Sequence, residues 1–306
     1  MKSVGVVILN YINWKDTISC LRSMYSLEYK EFNIFVVDNR SDNHSISRIR
    51  DWVESEGKPN ILISSLGDIP SGVGVTYLIQ SEENSGYSAG NNIGIKAAIR
   101  AGSEYIWILN PDTVADPASL THLVGWIDSD DRIGLVGPRI ERDNGVVQRT
   151  CAKKRPMVSD YFVGKFLWRR IVSKEVLNPI YYEEELYAAS SPQMIDIISG
   201  ASMLIRSSIL EEIEFLNENT FLYMEELILH EKLRASGYLT YYHPSSVVRH
   251  TGPNETANVS SRFVEKAYLE SLFYYWRNIR KERFVVCIFI QINVRILRFL
   301  SRIRKT

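Results

Sequence analysis

The run Val4-Gly5-Val6-Val7-Ile8-Leu9-Asn10-Tyr11, followed by the helix-compatible stretch Trp14 to Tyr25, decides the fold class. Its apolar residues do not alternate with polar ones, which marks a strand covered on both faces, as in a parallel sheet flanked by helices. The unit recurs: Ile34 to Val37 then Ile46 to Glu54, Thr76 to Ile79 then Asn91 to Ala101, Tyr105 to Leu109 then Pro117 to Ile127. This alternation predicts an α/β fold with a mostly parallel central sheet. Ligands in such sheets sit beyond the carboxyl ends of the strands. Asn10-Tyr11, Asp38-Asn39 and Asn110-Pro111-Asp112-Thr113 each follow a run, so three polar clusters are expected along one edge. Each alone also reads as ordinary turn chemistry.

Composition narrows the function classes. With 36 basic and 36 acidic side chains the net charge is zero, which argues against bulk binding of nucleic acid through phosphate neutralisation. The balance is uneven: residues 277–306 hold nine basic side chains against the single Glu282, a net +8 that the rest of the chain offsets. Such asymmetry points to an acidic surface, with an anionic membrane leaflet the commonest candidate. Cys20, Cys151 and Cys287 are far apart and lack CxxC spacing, so neither a disulfide framework nor a zinc site is indicated and a reducing cytoplasm fits. The first apolar run is too short for a signal-peptide core.

Further along, Leu62 to Val75 is expected to be an inserted surface loop, and the irregular stretch Arg142 to Ser191, with Lys153-Lys154-Arg155 and Trp168-Arg169-Arg170, a substrate-covering lid. A strand pair or strand and turn is expected around Ser199-Gly200-Ala201, then a helix from Met224 to Ala235 stopped by Gly237, strand segments to His250, and a helix from about Ser260 to Arg280. No glycine-rich stretch completes GxGxxG or a P-loop, so nicotinamide and P-loop readings lose support.

Oxygen-bearing Asn110, Asp112 and Thr113 suit a hard divalent cation that keeps positions open for phosphates, and His250 offers a nitrogen that would admit manganese beside magnesium. Glu225 and Glu226 open the Met224 helix. Acids there suit the macrodipole, yet adjacent carboxylates among large apolar residues are also how a general base is built, burial and repulsion raising one pKa. Glu226 and His230, four apart, share a helical face.

Six ordered blocks carry a resemblance: Val6 to Tyr11, Val36 to Ser41, Glu83 to Gly94, Leu109 to Thr113, Ser199 to Arg206 and Phe221 to Glu226. Together they resemble family 2 glycosyltransferases of the GT-A fold, in the bacterial rhamnosyltransferase-like branch. The resemblance implies inverting transfer from a nucleotide-diphosphate sugar to an acceptor hydroxyl, assisted by Mg2+ or Mn2+. It implies that Asn10, Tyr11, Asp38 and Asn39 hold the nucleotide, with Asp38 accepting from a pyrimidine imide. Asn84, Gly90, Asn91 and Asn110 belong to the donor pocket, Asp112 bridges metal and diphosphate, and His250 is a metal or diphosphate ligand. Glu226 takes the position of the catalytic base, with Glu225 beside it. The sequence departs from the family run at Ile12, where Asn is usual, at Asn110, where many members have Asp, at Ile228, where an acid is common, and at Lys232, where Arg is more frequent.

The expected division is a glycosyltransferase domain over 1–259 and a helical, basic amphipathic tail over 260–306. Gln291, Arg295, Arg298 and Arg302 form one stripe of a helix over Phe284 to Ile303 whose other faces are apolar. That helix suits contact with an anionic membrane, packing on its own domain, or a homodimer seam. The resulting expectation is a cytoplasmic enzyme, peripheral at the inner face of the cell membrane, that builds a bacterial surface polysaccharide such as O-antigen or capsule. Its donor would be dTDP-rhamnose or a UDP-sugar and its acceptor a saccharide, lipid-linked by preference. The alternatives are a UDP-hexose (galactose, glucose or GlcNAc) transferase of the same fold, or a non-catalytic nucleotide-sugar-binding assembly partner. A sugar nucleotidyltransferase would need a basic, glycine-rich loop after the first strand, where Asn10 to Trp14 offers none.

Overall fold

The computed structural model describes residues 1–63, 67, 69, 70, 72–161, 181–250 and 261–303. Parts of the Leu62–Val75 loop, the Trp168-Arg169-Arg170 part of the expected lid, and Thr251-Gly252 lie outside the described residues. The central sheet runs in the order β3-β4-β2-β1-β5-β11-β7-β12-β6. Its first half is wholly parallel: β3 (Asn60–Ile63), β4 (Thr76–Gln80), β2 (Phe32–Asp38), β1 (Val4–Asn10) and β5 (Tyr105–Leu109). β11 (Ser202–Arg206) runs antiparallel between β5 and β7 (Ile133–Glu141), and β12 (Leu239–His250) is parallel to β7. β6 (Thr113–Ala115) and β9 (Gln193–Met194) pair antiparallel with β12. A separate two-stranded ribbon joins β8 (Ala152–Lys153) to β10 (Ile197–Ile198).

Burial of β1 on both faces follows from its unbroken apolar run. Val4, Val6 and Ile8 enter one core with α1 (Trp14–Tyr25), α2 (Ser45–Ser55) and α4 (Ser119–Ile127), while Val7 enters the other with α3 (Tyr87–Arg100). The second core depends on close approach of α3 to β1. A Cβ on Gly90 would stand 2.5 Å from Leu9 Cδ1, and one on Gly94 2.6 Å from Val7 Cγ1, so both positions exclude a side chain.

Two local expectations differ from the structure and a third is narrowed by it. Helix α3 starts at Tyr87 rather than Asn91, because Gly86 takes a φ of 96° and Tyr87 N–H donates to Phe221 O at 2.9 Å, fixing the first turn. Around Ser199-Gly200-Ala201 the structure has the strand and turn of the two expected alternatives, since the flanking segments pair elsewhere, β10 with β8 and β11 with β5 and β7. The segments before His250 form one twelve-residue strand whose register shifts between His243 and Val247.

A third apolar cluster unites the C-terminal helices Ser261–Tyr274 and Phe284–Ile303 with the helix Glu225–Ala235. Cys287, Ile290 and Val294 are buried in it with Leu272, Trp276 and Ile228. The opposite side of the last helix leaves Phe284, Val285, Ile292 and Ile296 exposed. No helix among the described residues is long and apolar enough to cross a membrane.

Candidate functional site

Strand ends β1 and β2 meet at a saturated carboxylate. Asp38 is fully buried; Oδ1 accepts from Asn10 Nδ2 (2.6 Å) and Ser41 Oγ (2.5 Å), and Oδ2 from Ser41 N (3.2 Å) and Gln80 Nε2 (3.4 Å). A carboxylate has about four lone-pair sites, and these are taken. Asp38 organises the turn after β2 in this structure, and Tyr11 beside it is 43% exposed. Asn10 is buried too, accepting from Thr17 Oγ1 at 2.9 Å. Next to Tyr11, Ile12 sits at φ 65° with its N–H on Ser41 Oγ (2.7 Å), a left-handed conformation that suits Asn and strains a β-branched residue.

The second group lies at the start of α3. Asn39 Nδ2 donates to Asn84 Oδ1 (2.8 Å) and Gly86 O (3.2 Å), and Asn91 Nδ2 to Tyr87 O (3.0 Å). Asn39 and Asn91 are buried, yet neither Oδ1 accepts a hydrogen bond from the described residues. Buried amide oxygens of this kind call for a partner. Gly90 is placed in the helix–strand contact with Leu9 rather than at a surface. A Cβ on Gly86 would meet Phe221 O at 2.2 Å, so this loop is locked against the chain that leads into Glu225 and Glu226.

Beyond β5, Asn110 N–H donates to Ala201 O (3.0 Å), and Asp112 is buried. The register His250↔Thr113 between β12 and β6 brings His250 Nε2 to 2.9 Å from Asp112 Oδ2, with Gln148 Nε2 3.3 Å from His250 Nδ1. One carboxylate and one imidazole in contact fit a divalent cation that draws its remaining ligands from phosphate oxygens. No group of three or more His, Cys, Asp and Glu able to hold a metal occurs among the described residues.

The helix Glu225–Ala235 enters through two consecutive left-handed residues, Tyr223 (φ 73°) and Met224 (φ 69°). Such strain at a helix start is a feature of functional sites. Glu226 does not have the raised pKa expected from burial and a neighbouring acid. Burial does push the carboxyl up, but Lys153 Nζ, 2.8 Å from Oε1, outweighs it and holds the group below the usual range. His230 shares the helical face but turns away: Nε2 accepts from Ile198 N–H (2.8 Å), Nδ1 lies 3.3 Å from Thr240 Oγ1, and burial with the Lys153 charge lowers its pKa to about 3.

Two departures from the family pattern have structural reasons. Ile228 is fully buried in the third apolar cluster, where an acid would lose its hydration. Lys232 Nζ donates to Ile213 O (2.7 Å) and Phe215 O (2.9 Å), and one ammonium suffices for those carbonyls. The next acid, Glu231, accepts from Arg155 (2.7 and 2.8 Å) and Tyr275 (3.0 Å), with Arg280 3.4 Å away. Arg155, Asp196, His230, Glu231 and Arg234 line a cavity of about 340 Å³ that includes none of the expected donor residues.

Sequence reasoning missed Ser41, Gln148 and Lys153. Ser41 carried a signal, three residues after Asp38 in an Asp-Asn-x-Ser turn. Lys153 stood out only within the basic run of the expected lid and Gln148 not at all, because both reach the site from an irregular stretch through pairings with distant chain. The turn Ile197–Ala201 connects the two halves. Its Ala201 O holds Asn110, its Ile198 N–H holds His230, and Ile197 pairs with Lys153.

The family model described as glycosyl transferase family 2 matches residues 3–213. The low-salt glycan biosynthesis hexosyltransferase Agl10 of Haloferax volcanii is 26% identical over 228 residues, 74% of this chain and 60% of that protein. The N-acetylglucosaminyl-diphospho-decaprenol L-rhamnosyltransferase of Mycobacterium tuberculosis is 28% identical over 193 residues, 58% of this chain and 60% of that one. The match to each of these curated relatives thus covers about 60% of its length. Among solved structures, the mannosyltransferase PcManGT from Pyrobaculum calidifontis, in complex with GDP-Man and Mn2+, superposes with a TM-score of 0.60 at 16% identity, covering 92% of this chain and 66% of that one. That likeness shows the fold, which is GT-A: a mainly parallel sheet flanked by helices, here with a C-terminal helix added.

Proposed function

Because the chain belongs to glycosyl transferase family 2, we propose that it transfers a sugar, with inversion, from a nucleotide-diphosphate sugar to a hydroxyl of a saccharide acceptor. The observation that carries this reading is the placing of two unlike carboxylates either side of the Ile197–Ala201 turn: Asp112 against an imidazole, and Glu226 at a strained helix start. Tyr11, Asn39, Asn84 and Asn91 take the donor's nucleotide and sugar. Asp112 and His250 would hold Mn2+ or Mg2+, which when bound offsets charge growing on the departing diphosphate. Glu226 removes the acceptor proton as its oxygen attacks the anomeric carbon, and a single base suffices for inversion. Glu225 stands beside it.

Rhamnose is the favoured sugar and a lipid-linked saccharide the favoured acceptor. The mycobacterial relative, named for L-rhamnose transfer to a diphospho-decaprenol, supports both. A UDP-hexose donor is the second reading, supported by the hexosyltransferase name of the archaeal relative. Both suit assembly of a surface glycan at the inner face of the membrane, with residues 1–259 as the transferase and 260–306 as a tail. The exposed Phe284, Val285, Ile292 and Ile296 beside Lys281, Arg283 and Arg295 support contact with anionic lipid.

The test is donor turnover with dTDP-rhamnose, UDP-glucose, UDP-galactose and UDP-GlcNAc in Mn2+, for the natural protein and for Asp112→Ala and Glu226→Gln. Loss of turnover in both variants, with the circular-dichroism spectrum of the folded protein kept, is the expected result. Natural rates in both would overturn the site assignment.

A further inference from the structure

Lys153 has no part in the reaction as described, yet its ammonium is the one cation set directly against Glu226 among the described residues. The β8–β10 ribbon puts it there, through the pairs Ile197↔Lys153 and Ile198↔Ala152. The contact is 2.8 Å, and the two side chains are only 17% and 19% exposed. Two other acidic groups act on Lys153 more weakly than Glu226 does: Tyr181, whose backbone is bridged to that of Lys153, and Glu225, which precedes Glu226 on the helix. His230, one turn along, is neutral because its Nε2 accepts from Ile198 N–H. Glu231 is occupied by Arg155, Tyr275 and Arg280.

We propose that Lys153 is a positioning residue for sugar transfer: it engages Glu226 through Oε1, keeps that carboxylate ionised in its buried setting, and leaves Oε2 to take the acceptor proton. The inference rests on Glu226 being the base. In the step, the acceptor O–H bond breaks and its proton passes to Glu226 Oε2. The acceptor oxygen bonds to the anomeric carbon, and the carbon–oxygen bond to the diphosphate breaks with its electron pair leaving on the nucleoside diphosphate. Glu226 ends as a neutral acid beside an ammonium, an arrangement that favours return of the proton to water. A carboxylate next to a cation is a weaker base, but one buried without a cation would be protonated and no base at all.

The test is a ¹³C titration of the Glu226 carboxyl in protein labelled at glutamate Cδ, assigned by the resonance missing from Glu226→Gln. In the natural protein the midpoint is expected below the ordinary glutamate range; in Lys153→Met, above it. Lys153→Arg should keep the low midpoint, and Lys153→Gln gives the same reading as Lys153→Met should the methionine variant not fold. The acid limb of donor turnover, with dTDP-rhamnose and UDP-glucose as probes, should move with the carboxyl, activity returning at higher pH. An unmoved midpoint, or a loss equal at every pH, would overturn the role of Lys153. Natural turnover in Glu226→Gln would instead remove the base reading, independently of the titration.

Discussion

His230 gives the fold a calculable sensitivity to acid. Its Nε2 accepts from Ile198 N–H at 2.8 Å, so the ring must be neutral, and burial with the Lys153 charge holds its pKa at about 3. Unfolded, a histidine titrates near 6.5. The unfolded chain therefore takes up a proton below about pH 6.5 that the folded chain refuses until about 3, and stability falls as pH falls through that window. The slope approaches about 1.4 kcal/mol per pH unit, which amounts to about 2 kcal/mol between pH 7 and pH 5. Denaturant unfolding of the natural protein and of His230→Gln at pH 7, 6 and 5 isolates this effect. Glutamine offers an oxygen to Ile198 and an amide donor to Thr240 but does not titrate. His243, whose pKa burial lowers to about 4, destabilises both proteins equally and cancels in the difference. The stability gap between natural protein and variant should move by about 2 kcal/mol in favour of the variant from pH 7 to pH 5. Parallel curves would refute the buried, neutral imidazole.

Ile12→Asn should stabilise the protein by about 1 kcal/mol, since asparagine tolerates the left-handed φ of 65° that strains isoleucine, and thermal unfolding should rise by a few degrees. A fall in the unfolding temperature would mean that the apolar contacts of Ile12 outweigh its strain. Ile228→Asp, which restores the acid common in the family, should cost more than about 3 kcal/mol by burying a charge in the cluster with Leu272 and Trp276. Equilibrium unfolding at pH 7 checks it, and a loss under about 1 kcal/mol would show that the cluster admits water or a counter-charge.

The parallel half of the sheet was legible because β1, β2, β4 and β5 are covered on both faces, which writes an unbroken apolar run into the chain. The clusters after those strands were legible for the same reason: Asn10, Asp38, Asn110 and Asp112 sit where a polar residue abruptly ends such a run. β8 and β10 have two residues each and β6 three, too short for any periodicity, so the pairing that brings Lys153 to Glu226 left no local trace. The direction of the Glu226 pKa shift was missed with it. Adjacent acids read as mutual repulsion, while the cation that decides the matter lies 73 residues away in the chain. The start of α3 was placed late because Gly86 and Tyr87 are fixed by Phe221, again a contact that spacing cannot reveal.

The two carboxylates at the site differ most in what stands against them, and that difference bears on the division of labour proposed here. Asp112 faces an imidazole, a group whose neutral form presents a nitrogen lone pair to a cation. Glu226 faces an ammonium whose pKa its own charge raises further, after burial has pushed it down, so that pair stays charged through the neutral range. A lysine so held offers nothing to a metal, and a carboxylate so held is a poor metal ligand but stays ionised until it takes the acceptor proton. Exchanging the partners would exchange the aptitudes. On this argument the chemistry at each end is set as much by His250 and Lys153 as by the acids themselves, and both partners reach their acids through strand pairing, His250 from β12 beside β6 and Lys153 from β8 beside β10.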